Sequence, residues 1–436
     1  MNSISWTKDS YIINGKPAFL VSGEFHYFRV PRHDWERRIK LFKETGGNCI
    51  ATYIPWILHE PIEGDFHFSD LPERDLEGFL KLCKEMDIFV MCRPGPYQYS
   101  EMKYAGLPEW LFDNYPEILA KNSKGNAISN HSASYLQPVF LEKVKNWYHA
   151  VCPIIAKYSL SKGGSVAFLQ FDNELMGIHD WNGDWDHNPE TMGFGREDGR
   201  YTVFLRKMYG SIDALNKAYQ SQYKSFTDVR PHTERTPGTA GERMKVKDYQ
   251  NFYFQTVAEY SKILVDWMEA SGIDAKYVHN AGAPFMNSYF LETKQELGDK
   301  FLLGSDHYYN LGQGWAQNNP TPQYTVRSYY SLELLRLMGF PSSVFELPAG
   351  SSCDWPPITP EDLLCCYMSH IALGMKGLNY YIFAGGTNPL GIGIIKESYD
   401  YNAPVGEDGT LKPTYNTLKK FGSFMKENSW LAASRI

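Results

Sequence analysis

What this 436-residue chain lacks narrows its function before anything it contains. It has no run of about 18 apolar residues, so no membrane-spanning helix is expected. The longest candidate, Ile371 to Phe383, is interrupted by Lys376 and Asn379. Met1 to Asp9 carries no apolar stretch of the secretory kind, which makes the cytoplasm the expected location. No block of lysine and arginine occurs and the formal net charge is −7, so a nucleic-acid partner is not expected. Cysteine is scarce. Cys49, Cys83, Cys92, Cys152, Cys353, Cys365 and Cys366 form an odd set with no C-x-x-C spacing, and several lie inside apolar runs. They are expected to be small buried hydrophobes in a reducing compartment. No H-E-x-x-H and no G-x-S-x-G is found, and Gly391-Ile392-Gly393 completes no phosphate-binding fingerprint. Neither a metal nor an organic cofactor is expected.

What is abundant points elsewhere. Aromatic residues make up 15% of the chain, with 30 tyrosines and 11 tryptophans, enough for a large core and a sugar-stacking cleft as well. The chain opens with a hairpin signal, in which Asn14-Gly15 separates Ser10 to Ile13 from Ala18 to Val21. Apolar runs then recur at 19–25, 48–54, 87–93, 165–172, 276–280, 301–308, 342–347 and 377–384. Helical periodicity fills the gaps between them, as in Asp34 to Thr45, Leu76 to Glu85, Leu141 to Tyr158, Lys247 to Ser271, Val326 to Met338 and Pro360 to Leu373. A last helix is expected over Pro413 to Asn428. Eight strands alternating with helices describe an α/β fold, the (β/α)₈ or TIM barrel, here as a single domain over 1–436. Segment 176–245 is too long for a plain βα loop and is expected to be an insertion after strand 4, at the barrel mouth.

Two strand tips end in an acid. Val166 to Phe171 runs into Asp172-Asn173-Glu174, and Ser343-Val344-Phe345 runs into Glu346. Barrel enzymes present their acids at the C-terminal ends of strands, and glycoside hydrolysis uses two carboxyl groups. The crowding of Asp172 beside Glu174 suggests a general acid whose pKa is raised by its neighbour. Asn173 suits a sugar hydroxyl. Glu346 lies between Phe345 and Leu347, where a carboxylate is costly unless it is used. Arg93-Pro94-Gly95-Pro96-Tyr97 reads as a stiff exposed turn able to hold Glu101 against a ligand. His26 and His307, at strand tips, read as hydrogen-bonding residues.

Gly23 to Pro31, Tyr53 to Pro61, Arg93 to Tyr97 with Gly106 to Leu111, Tyr381 to Asn388 and Ser398 to Pro404 together resemble glycoside hydrolase family 35. Most members of that family are β-galactosidases. The resemblance implies a configuration-retaining TIM barrel with Glu174 as acid/base and Glu346 as nucleophile. It also implies that Tyr53, Glu101, Asn173, Tyr381 and Tyr401 bind the terminal sugar. Ser100 stands beside them at an altered position, and Tyr308 is added from its own strand-tip position. Ile57, Gln98 to Ser100, Met102, Asp172, Leu175 and Pro348 depart from the family pattern. The expected function is therefore a retaining, exo-acting β-galactosidase on oligosaccharides or glycosides, its mouth narrowed by the insertion. The alternatives are a β-glucoside, a β-glucosaminide, transfer of the sugar to an alcohol, or a barrel that binds carbohydrate without cleaving it.

Overall fold

A computed structural model describes residues 2–234, 236–281, 290–308, 322–350, 358–394 and 396–434. Its first element is a small antiparallel sheet of β1 (Ile4–Thr7), β2 (Ser10–Ile13) and β3 (Lys16–Ala18). Asn14 and Gly15 both take positive φ, 51° and 76°, as a two-residue hairpin turn requires. The hairpin differs from expectation in two ways. Its return strand is Lys16–Ala18, since Leu20 onward belongs to the barrel, and β1 adds a third strand.

The barrel follows. It consists of β4 (Leu20–Phe25), β5 (Cys49–Tyr53), β6 (Phe89–Arg93), β7 (Val166–Gln170), β8 (Lys276–Ala281), β9 (Phe301–Asp306), β10 (Ser343–Pro348) and β11 (Gly377–Ala384). Each strand pairs in parallel with the next, and β11 pairs with β4 to close the ring. Crossover helices cover the outside while side chains fill the inside, so strands such as Cys49–Tyr53 and Val166–Gln170 are buried throughout. That is why they read as continuous apolar runs rather than alternating ones. Strand contacts are close enough to require glycine in places. A Cβ on Gly304 in β9 would overlap the Phe345 ring of β10.

The segment after β7 holds short helices at Gly177–Asp180, Pro189–Met192, Arg200–Tyr209 and Ile212–Tyr219. It has its own apolar cluster, in which Tyr201, Phe204 and Leu215 pack with Tyr249 and Phe252. Those last two belong to the long helix Ala240–Ala270, which starts inside the expected insertion boundary of 245. The start signal is a capping box. Thr239 accepts from the Glu242 amide while Glu242 reaches back to the Thr239 amide.

Three further expectations meet the structure. Residues 93–97 are buried, not an exposed turn, because the carbonyls of Pro94 and Gly95 accept from Trp147 Nε1 (2.7 Å) and the Tyr148 hydroxyl (2.5 Å). Cys49, Cys83, Cys92, Cys152 and Cys366 are buried thiols, but Cys365 is exposed, and Cys353 lies outside the described residues. No described helix is long and apolar enough to cross a membrane.

Candidate active site

The turn beyond β7 positions the first acid. Asp172 and Glu174 both adopt left-handed backbone, φ 52° and 41°, a conformation that costs a non-glycine residue of order 1 kcal/mol. Specific bonds hold it. The Asp172 amide donates to Gly95 O (2.8 Å), Leu175 N to His279 Nε2 (3.0 Å), and Met176 N to the Tyr135 oxygen (3.0 Å). The Asp172 carboxylate turns away from Glu174, accepting from its neighbour's amide, Asn173 N (2.7 Å), and from the Tyr260 hydroxyl (2.9 Å). Burial there pushes its pKa up to about 8. Glu174 is left projecting into the mouth, and burial pushes its carboxyl up to about 7. Desolvation is thus the main cause of that shift, with Glu101 adding to it; the adjacent Asp172 carboxyl, expected to do this, is not among the causes.

The second acid comes from within a strand. Glu346 on β10 is register partner to Asp306 on β9. Donors converge on it: Asn280 Nδ2 at 3.1 Å, the Tyr53 hydroxyl at 3.5 Å, and the Tyr308 hydroxyl in close contact. Arg93 Nη2 lies 3.9 Å from Glu346 Oε1. The same guanidinium pairs closely with Glu24 and donates through Nε to Gln170 Oε1 at 2.9 Å. Its carbon stands 4.6 Å over the Tyr53 ring.

One oxygen from each of Glu174, Asp306 and Glu346 lies within 4.8 Å of the other two. Burial raises Asp306 well above the usual carboxylate range, and Glu346 and Glu174 raise it further. Burial and Glu174 raise Glu346 too, opposed by Arg93 and Tyr308. Three raised carboxyls beside one guanidinium cannot all be ionised together. The donors decide where the charge rests. Most of them point at Glu346, so it is the member best able to carry the negative charge.

The expected sugar-binding residues divide into two groups. The Tyr53 hydroxyl lies 3.0 Å from Asn173 Oδ1, and with Tyr308 these side chains line the space around the acids. Glu101, Tyr381 and Tyr401 form a wall of their own, with the Tyr381 ring 6.3 Å from that of Tyr308. Glu101 Oε2 accepts from Tyr381 (3.0 Å) and closely from Tyr399, and the Tyr381 and Tyr401 rings meet at 5.4 Å. Ser100 is committed elsewhere, since its hydroxyl accepts from Arg29 Nη1 (2.7 Å) and its carbonyl from Arg29 Nη2 (2.6 Å). Arg29 also stacks on Tyr399, its carbon 3.6 Å from the ring centre. These bonds pin a loop in which Tyr99, Ser100 and Glu101 all have positive φ. His26 lies between Glu24 (3.3 Å) and Arg29 (2.8 Å), and His307 bonds His370 at 2.8 Å.

Sequence reasoning missed Asp306, Asn280, Arg29 and Tyr399 as members of this site. Asp306 ends an apolar run as Glu346 does, so its strand-tip position was the available signal. Asn280 ends the run at 276–280 in the same way. Arg29 and Tyr399 lie inside the motifs Gly23 to Pro31 and Ser398 to Pro404, but nothing local marks them as partners across 370 residues of chain.

Residues 10–187 match the family model described as Glycosyl hydrolases family 35. The chain is 30% identical over 437 residues to the beta-1,2-glucosyltransferase of Ignavibacterium album, covering 96% of this chain and 58% of that one. It is 30% identical over 441 residues to the exo-beta-D-glucosaminidase of Pyrococcus horikoshii, covering 96% and 54%. With the beta-galactosidase of Mus musculus it shares 33% identity over 431 residues, covering 97% and 50%. The chain thus spans about half the length of the curated relatives it matches. Among solved structures, the beta-galactosidase of the psychrophilic Marinomonas ef1 superposes with a TM-score of 0.72 at 16% identity, covering 95% of this chain and 62% of that one. That likeness is one of fold, the TIM barrel.

Proposed function

Because the chain belongs to glycosyl hydrolases family 35, we propose that it is a retaining, exo-acting β-glycosidase working by double displacement. The observation that carries this reading is the approach of the Glu174 and Glu346 carboxylate oxygens to within 4.8 Å. Retaining enzymes hold their carboxyls about 5–5.5 Å apart, whereas inverting ones leave about 6.5–9.5 Å for a water.

Glu346 Oε attacks the anomeric carbon as the bond to the leaving oxygen breaks, and Glu174 gives its proton to that oxygen. The product is a glycosyl ester on Glu346. Water then attacks the same carbon and loses its proton to Glu174. The ester bond breaks and Glu346 is regenerated as a carboxylate. Arg93, Tyr53, Asn280 and Tyr308 stabilise Glu346 as an anion before attack and after release. Asn173, beside the reacting carbon, serves the sugar's 2-hydroxyl, and the wall of Glu101, Tyr381 and Tyr401 serves its other hydroxyls.

The expected sugar is a terminal β-galactose. A second reading, a gluco-configured sugar removed from or transferred between oligosaccharides, is favoured by the relatives named for glucosyl transfer and glucosaminide cleavage, aligned over 96% of this chain. A panel of p-nitrophenyl β-galactoside, glucoside, glucosaminide and fucoside separates the two. One glycoside should dominate, and Glu346→Gln should abolish its turnover with folding intact. Wild-type-like turnover by that variant would end the mechanism.

A further inference from the structure

The proposed double displacement uses two acids, yet a third carboxyl, Asp306, lies directly beside them. Asp306 is 2% exposed, and its Oδ2 accepts from Asn280 Nδ2 at 2.8 Å. That amide also donates to Glu346 Oε1 at 3.1 Å, so one side chain ties the third acid to the nucleophile. Asp306 Oδ1 is buried and accepts from no donor among the described residues. The group beside it is the Glu174 carboxyl. Two carboxyl groups in hydrogen-bond contact, Asp306 buried and Glu174 half-buried, resist joint ionisation and share a proton at rest.

Resting on the double-displacement reading, we propose that Asp306 is a positioning residue that shares one proton with Glu174 and makes Glu174 a stronger base in the second step. The charge balance supports it. In the resting site Glu346 is an anion and the Asp306–Glu174 pair carries one proton, a total of two negative charges. In the first step that proton passes to the leaving oxygen while Glu346 becomes a neutral ester. The pair now bears both negative charges and the total is unchanged. At rest the hydrogen bond from Asp306 lowers the Glu174 pKa. Once the proton has left the pair, the ionised Asp306 becomes a like charge and raises the proton affinity of Glu174 when it must take the proton from water. When water has reacted, that proton returns to the pair and Glu346 is again the anion. The charged and titratable groups facing Asp306 are Glu174, Glu346, Arg93 and Tyr308, with Glu24 behind Arg93.

The test is Asp306→Asn in the full chain, which keeps the oxygen that accepts from Asn280 and removes the ionisable proton. With an activated aryl glycoside, kcat should fall about tenfold at neutral pH and KM should fall with it, because the glycosyl-enzyme accumulates. The basic limb of the pH profile should move down by about one pH unit, the size of one like-charge neighbour. Azide needs no general base, so adding it should restore turnover and give a β-glycosyl azide. Unchanged kinetics, or an equal loss at every pH with no azide rescue, would overturn the role given to Asp306. Glu174→Ala is run alongside. If that variant gives no β-glycosyl azide, the double displacement itself fails, whereas an indifferent Asp306→Asn beside a rescued Glu174→Ala overturns only the third carboxyl.

Discussion

Replacing Glu174 with alanine separates its proton-donating role from everything else in the pocket. Burial pushes the Glu174 carboxyl up to about 7 from an ordinary 4.5. At pH 6 such a group is protonated in about nine molecules of ten, against about one in thirty without the shift. Desolvation therefore raises the acid-competent fraction about thirtyfold at that pH. Removing a general acid costs about 10²–10⁴-fold when the leaving group needs protonation. Glu174→Ala should lose that much in kcat/KM on an alkyl glycoside or disaccharide, and only a few-fold on a dinitrophenyl glycoside, whose leaving group departs as an anion. The wild-type profile on the poor substrate should fall as pH rises through about 7, since the protonated form is the active one and is lost above its pKa. In the variant this basic limb should vanish. Initial rates on the two substrates from pH 5 to 8.5, with and without azide, measure all of this. Equal losses on both leaving groups, or a basic limb that survives the substitution, would refute the assignment of Glu174 as the acid.

Two further substitutions test the scaffold. Asp172 is buried with its carboxyl pushed up to about 8, so it stays protonated in the folded chain while the unfolded chain ionises above about 4. Its contribution to stability is full below about pH 4 and is lost as pH rises towards 8. Asp172→Asn should flatten that part of the curve, and urea unfolding at pH 5 and pH 8 checks it; an unaltered difference between the two would contradict the buried neutral acid. Gly304→Ala places a methyl group into the Phe345 ring, next to Glu346. It should cost about 1–3 kcal/mol by overpacking and lower kcat by disturbing β10, read by thermal unfolding and by turnover.

Much of this architecture is legible along the chain. The barrel follows from eight apolar runs alternating with helical periodicity, because parallel strands buried on both faces leave a continuous apolar signature. Both proposed acids stand at the ends of such runs, where a barrel exposes its functional groups. The starts of elements were less legible. The long helix begins at Ala240, as its Thr239–Glu242 capping box dictates, although the apolar periodicity becomes visible only later. Arg93 to Tyr97 looks exposed by composition, yet it is buried because Trp147 and Tyr148, some 50 residues away, satisfy its carbonyls.

What the sequence by itself determined is the layered α/β barrel, the candidate pair Glu174 and Glu346, and the aromatic supply for a sugar site. Those follow from local periodicity and from side-chain chemistry at strand ends. Only the tertiary structure decided the company each acid keeps. The register of β9 against β10 sets Asp306 beside Glu346, barrel closure brings Arg93 and Tyr53 across to it, and burial rather than the neighbouring Asp172 raises Glu174. Electrostatic and hydrogen-bonding partners act through space, and no spacing along a chain records which strands will lie side by side.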